Sequence, residues 1–189
     1  MPRTARKQSL PPRAADKPRV GVVVSRYNAS VTDELMEGAA AAYVNRFGDA
    51  DNVVFIPAPG AFELGVIAAE LAASGKFEAV VALGCIIRGE TTHDQHLARS
   101  VTDSLMRIAI DHRVPVGLGV LTVNNAKQAR DRAGGKFGNK GEEAMNAALD
   151  TLAVVRAVRA GAGKLEASRR VPDKAAKRAG RAVKKGGRR

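Results

Sequence analysis

The residues best equipped for chemistry lie at 84–96, GCIIRGETTHDQH. An apolar run, AVVAL at 79–83, precedes them and a helical pattern follows. A buried strand therefore delivers a glycine, charges, threonines and imidazoles to one edge, where an open α/β sheet carries its chemistry. His93 is the best acid–base candidate, because only imidazole titrates near neutrality without a large shift. In the turn Gly89-Glu90-Thr91-Thr92, backbone N–H groups and the Thr91 hydroxyl could hold an oxyanion without a Walker motif. Arg88 and Arg132 could each supply charge, and Lys136 and Lys140 lie on a second glycine-rich turn, GGKFGNKG at 134–141. A guanidinium fits phosphate better than an ammonium does, and the alternative for each cation is a solvated surface role. His93, Asp94 and His96 could approach a metal, but the HExxH arrangement and a fourth ligand are both missing, so no metal is expected. Cys85 is the only cysteine, which excludes an intrachain disulfide and reads as structural. The chain has neither GxGxxG nor a P-loop, which argues against a dinucleotide site or an ATPase.

Three further polar or glycine-rich stretches end strand-like segments, at 25–28, 59–63 and 122–125. In a parallel sheet they share an edge with the first. Tyr27 could stack on a heteroaromatic ring, or serve as a half-buried wedge with its hydroxyl in water. Gly60-Ala61 at a helix start could present N–H groups to a polar ligand. Glu63 could accept hydrogen bonds from a polyol or a ring N–H, or could simply favour the helix dipole.

The elements that must position these residues alternate. Strands are expected at 20–25, 53–56, 79–83 and 115–121, apolar on both faces as parallel strands are. Helices are expected up to about 46, then at 61–73, 97–111, 126–132 and 142–159. Ser30 or Thr32 could cap the first, with Asp33 and Glu34 in its first turn, and Gly48 ends it. Pro57-Ala58-Pro59-Gly60 stops the second strand sharply. The pattern implies a largely parallel sheet covered on both faces. Four strands and Ala-rich helices also suggest burial of surface between subunits.

The chain has 189 residues, enough for one domain with a sizeable core. Its net charge of +12 resolves into +5 for residues 1–19, +9 for residues 164–189 and −2 for the remainder. The reading is a basic flexible arm at 1–19, an ordered domain at 20–163 and a basic disordered tail at 164–189. Such tails are solubilising, or attract polyanions such as nucleic acid. No apolar run reaches membrane-spanning length and no secretory leader is visible, so the expectation is a cytoplasmic protein without membrane contact.

The motifs SRYN at 25–28, PGAFEL at 59–64, GCIIRGETTH at 84–93, PVGLGVLT at 115–122, QARDRAG at 128–134 and GNKGEEA at 138–144 occur in one order. Across roughly residues 19–160 the chain resembles the 6,7-dimethyl-8-ribityllumazine synthase family of riboflavin biosynthesis. The resemblance implies a flavodoxin-like three-layer α/β/α sandwich with a four-stranded parallel sheet. It implies pentamers, in some members built into decamers or sixty-subunit shells, and association with riboflavin synthase. It implies condensation of 5-amino-6-(D-ribitylamino)uracil with 3,4-dihydroxy-2-butanone 4-phosphate, with release of phosphate and water and without metal or organic cofactor.

The resemblance also assigns roles. Tyr27 would stack on the pyrimidine. Ala61, Phe62 and Glu63 would line the ribityl side, with Glu63 accepting hydroxyls. Cys85, Ile86 and Ile87 would contact the pyrimidine through backbone groups. Glu90 and Thr91 would bind the butanone phosphate, the Glu90 carboxylate pointing away. Arg132 of a neighbouring subunit would clamp that phosphate, Leu118 of the same neighbour would face the heterocycle, and Lys140 would support that wall. His93 would shuttle protons. Two positions depart from the family pattern. His93 is followed by Asp94 and Gln95 rather than by an aromatic residue and then an acid. Leu118 stands where phenylalanine is common. The short turn at 134–141 resembles shell-forming members. The rivals are a non-catalytic lumazine-binding relative and a nucleic-acid-binding protein acting through its tails.

Overall fold

The computed structural model describes residues 17–161. Most of the basic arm and all of the basic tail lie outside the described residues. The chain divides into two compact units, Met1–Leu152 and Ala153–Arg189. In the second, the helical turns close at Gly161, whose N–H bonds to the Val158 carbonyl and whose φ is 85°.

The first unit is built on β1 (Val20–Ser25), β2 (Val53–Ala58), β3 (Ala79–Ile87) and β4 (Val116–Val123). These strands are parallel, in the order β2-β1-β3-β4. Helices α1 (Ala29–Phe47), α2 (Leu64–Ala73), α3 (His93–His112), α4 (Ala126–Arg130) and α5 (Lys140–Arg159) connect or follow them. Alternation along the strands feeds two separate cores. Val20, Val22, Val24, Val81, Leu83 and Leu121 pack with Leu35 and Tyr43 of α1 and with Met145 and Leu149 of α5. Val23, Val80, Ala82 and Ile86 pack with Leu64 and Ala68 of α2 and with Val101 and Leu105 of α3. Helices on both faces of a parallel sheet make the expected flavodoxin-like three-layer sandwich. Full burial of each Val or Leu contributes about 1.5–3 kcal/mol, so the two cores dominate the energetics.

Several boundaries differ from those expected of the sequence. Strand β2 runs through Pro57 to Ala58 instead of stopping at Ile56. It is the edge strand, paired only with β1, so proline's missing N–H leaves no ladder gap. Strand β3 extends to Ile87, because β4 pairs with it as far as Ile87–Val123. Residues 84–87 are therefore strand, not loop. Ala61, Phe62 and Glu63 form a turn, and α2 begins only at Leu64, with Glu63 at its N-cap. Helix α3 starts at His93, four residues before the expected Leu97. Helix α1 starts at Ala29, after Asn28 in the left-handed region at φ 61°. Neither Ser30 nor Thr32 caps it, and Asp33 and Glu34 lie beyond its first turn. The glycine-rich turn is a small antiparallel hairpin, β5 (Ala133–Gly135) with β6 (Gly138–Asn139).

Candidate active site

The order β2-β1-β3-β4 reverses direction at β1. The connection after β1 leads outward to β2, and the next returns past β1 to β3. A crevice opens beyond the carboxyl ends of the strands at such a point. It is a cleft of about 460 Å³ in this chain, lined by Tyr27, Asn28, the turn 60–63, Cys85–Ile87, Gly89, Thr91, His93, Asp94 and Leu97.

Unequal strand length gives the cleft its floor. β1 pairs with β3 only as far as Val24–Leu83. Val80 and Arg88 donate their N–H groups toward the β4 side, to Pro115 O (2.9 Å) and Val123 O (2.8 Å). Alternation along the strand turns the backbone polar groups of Cys85 and Ile87 the other way, past the end of β1. The Cys85 carbonyl accepts from Asn28 Nδ2 at 2.8 Å. Asn28 tolerates its left-handed backbone because asparagine is among the few residues that do. Its carbonyl receives Val31 N–H (2.8 Å), which starts α1. One residue thus ends the loop, opens the helix and ties it to the cleft floor. The Cys85 thiol is buried, and that burial pushes its pKa up to about 11. It is held as a neutral thiol, unsuited to act as a nucleophile.

Two aromatic side chains flank the opening. Tyr27 is 72% exposed, too open for a half-buried wedge, and Phe62 is 66% exposed. Flat faces held in water over a polar floor suit a planar ring. Ser25 is buried, and its Oγ accepts the Tyr27 N–H at 3.2 Å, which steadies the loop. Glu63 reaches the same cleft half-buried.

At the other end, Gly89 and Thr91 lead into the N-terminus of α3. Thr91 Oγ1 accepts the His93 N–H at 3.4 Å, and the Thr92 carbonyl receives Gln95 N–H and His96 N–H. The start of a twenty-residue helix carries partial positive charge and favours an anion. His93 is exposed on the first helical position and borders the cleft. Asp94 follows it, nine-tenths buried, with Oδ1 sealed and without a hydrogen-bond partner among the described residues. No hydrogen bond among the described residues joins it to His93, and adjacent helical residues do not face each other. Among the described residues no group of three His, Cys, Asp or Glu side chains is placed to hold a metal ion, and no helix is long and apolar enough to cross a membrane.

The cleft gathers Tyr27, Ala61, Phe62, Glu63, Cys85, Ile86, Ile87, Thr91 and His93. Glu90 is exposed just outside it. Three other candidates stand apart. Leu118 is 52% exposed on β4, in register with Ala82. Arg132 is half-buried beyond α4. It donates from Nη1 to the Gln128 carbonyl (3.2 Å), and its guanidinium lies 4.9 Å from the centre of the Phe137 ring. Lys140 pairs with Glu143 at 2.6 Å. The roles derived from the sequence leave out Asn28, Asp94 and Leu97 as parts of the cleft wall. Asn28 carried a signal, an asparagine directly before a helix. Asp94 carried none, because its inward direction depends on where α3 begins.

Comparison with protein families matches residues 17–156, well over half the chain, to the family described as 6,7-dimethyl-8-ribityllumazine synthase.

Proposed function

The chain belongs to the 6,7-dimethyl-8-ribityllumazine synthase family, and from that membership we propose that it condenses 5-amino-6-(D-ribitylamino)uracil with 3,4-dihydroxy-2-butanone 4-phosphate. The observation that supports this reading is one cleft that joins exposed aromatic side chains, a half-buried carboxylate, the start of a long helix and an exposed imidazole.

The pyrimidine lies against Tyr27, with its ring edge on the backbone groups of Cys85 and Ile87 beyond the end of β1. Its ribityl chain runs along Ala61-Phe62-Glu63, where Glu63 accepts hydroxyl protons. The butanone phosphate sits at the start of α3, against Thr91 and the amides of the turn that contains Glu90. Positive dipole and N–H donors there oppose the dianion's charge. The amine on pyrimidine C5 attacks the ketone, and water leaves to give an imine. Phosphate is then eliminated. Tautomerisation, attack by the ribitylamino nitrogen and a second dehydration close the ring. His93 accepts and returns protons in these steps. Both reactants lose mobility in one cleft, so orientation supplies much of the rate. No step requires a metal or an organic cofactor.

Leu118, Arg132 and Lys140 are absent from this chain's own cleft wall. We assign them to the cleft of a neighbouring subunit in a homo-pentamer, itself able to build a larger shell. There Arg132 clamps the phosphate, Leu118 faces the heterocycle and Lys140 supports the wall. Incubating the purified full-length assembly with both substrates and following lumazine absorbance and fluorescence tests the activity. Product formed in step with phosphate release is the expected result, and negligible product from an assembled protein overturns the reading.

A further inference from the structure

Asp94 is the acidic residue in the first turn of α3. It borders the cleft and is nine-tenths buried, and no donor among the described residues reaches its sealed Oδ1. An ionised carboxylate only accepts hydrogen bonds, and leaving it without donors in an interior is costly. The α3 dipole eases the charge but supplies no donor to the side chain. No hydrogen bond among the described residues links Asp94 to His93, so orientation of the imidazole does not explain it. Glu63, a second acceptor, lines the same cleft from the start of α2. Any ligand segment held beside both carboxylates must bring hydrogen-bond donors and must not be an anion.

We infer that Asp94 is a specificity-determining residue that accepts a hydrogen bond from a neutral donor of the pyrimidine substrate, an O–H of its polyol chain or an N–H of its ring. This rests on the functional reading above. The geometry sorts the two reactants by charge. Gly89, Thr91 and the turn that precedes α3 take the phosphate, while the Asp94 and Glu63 carboxylates receive the uncharged donor-rich partner. Oδ1 is sealed even from water, so a donor in the cleft meets the other carboxylate oxygen, which is not among the sealed atoms.

The test compares the full-length assembled wild type with Asp94→Ala and Asp94→Asn. Each is titrated calorimetrically with 5-amino-6-(D-ribitylamino)uracil alone, so that the readout does not depend on turnover. Steady-state kinetics then give KM for each substrate. Asp94→Ala is expected to weaken pyrimidine binding on the order of ten- to a hundredfold, the effect of a lost charge-assisted bond. KM for the butanone phosphate should stay within about twofold or fall. Asp94→Asn keeps the shape and one acceptor, and should lie between wild type and alanine. It carries the test if the alanine variant fails to assemble. Repeating the titration with a pyrimidine whose side chain lacks hydroxyls separates the two donors. A penalty that disappears identifies the polyol O–H, and one that persists identifies the ring N–H. Wild-type protein that binds no pyrimidine overturns the functional reading and this inference together. Wild-type binding that both variants match, or an equal loss for both substrates, overturns this inference alone.

Discussion

His93 stands exposed on the first turn of α3, with no carboxylate of the described residues hydrogen-bonded to it. Its work is therefore expected to depend on the imidazole itself rather than on a fixed acid partner. His93→Ala should lower kcat by about two to four orders of magnitude, as loss of a general acid–base group does, while the assembly and the unfolding midpoint stay close to wild type. An unchanged kcat in single-turnover measurements would remove His93 from the chemistry. Two other side chains carry a pH signature. Burial pushes the Cys85 thiol up to about 11 and the Tyr43 phenol up to about 12. Tyr43 also donates to the Pro18 carbonyl at 2.7 Å. The folded chain holds both protons more tightly than the unfolded chain does. The resulting stability is complete below the ordinary thiol and phenol ranges and is lost as pH rises through about 11 and 12. Denaturation midpoints should therefore fall steadily from pH 9 upward, and less steeply in Cys85→Ser. Midpoints independent of pH across that range would contradict the assignment.

At the scale of elements, the fold depends on how closely the start of α5 seats against α1. Gly141, on the first turn of α5, lies so close to α1 that an added Cβ would stand 1.8 Å from the Leu35 carbonyl oxygen. Backbone cannot yield there as a flexible side chain can. Gly141→Ala should destabilise the fold by about 3 kcal/mol, the upper range of ordinary overpacking. Chemical denaturation checks this, and a midpoint within error of wild type would show that α5 shifts freely. Asn139 supports the same junction. Its Nδ2 donates to the Glu34 carbonyl (2.7 Å), and its Oδ1 accepts from Gly141 N–H (2.8 Å). Among the described residues the sequence placed all four main strands and all five helices, because apolar runs and helical spacing report burial directly. Their ends were less legible. Gly84 and Cys85 read as the start of a loop, yet β4 pairs alongside them and keeps them in the sheet. Pro57 read as a stop, yet on an edge strand its missing N–H faces no partner. Both outcomes depend on which strands are neighbours, and one strand's residues do not state that.

For the whole molecule, the cleft of one chain holds His93 but neither Arg132 nor Leu118. If a neighbour supplies those groups, the two kinds of lesion should complement each other. His93→Ala and Arg132→Ala are each expected to be nearly inactive alone. Dissociated and reassembled together in equal amounts, they should recover activity, since about a quarter of the sites then pair an intact His93 with an intact Arg132. Mixtures no more active than either parent, despite proven subunit exchange, would place Arg132 outside the neighbour's site.

The loop at 84–96 separates what the chain determines alone from what the fold decides. Residue types settled the family, the alternating architecture and the identity of the chemical groups, because these follow from composition, spacing and motif order. Tertiary structure decided which groups meet. It ended β1 before β3 and so turned the backbone of Cys85 and Ile87 toward a cleft. It began α3 at His93, and that phase leaves the imidazole exposed while turning Asp94 inward without a partner. Strand neighbours and helix phase arise from contacts between residues far apart in the chain, so no local stretch encodes them by itself.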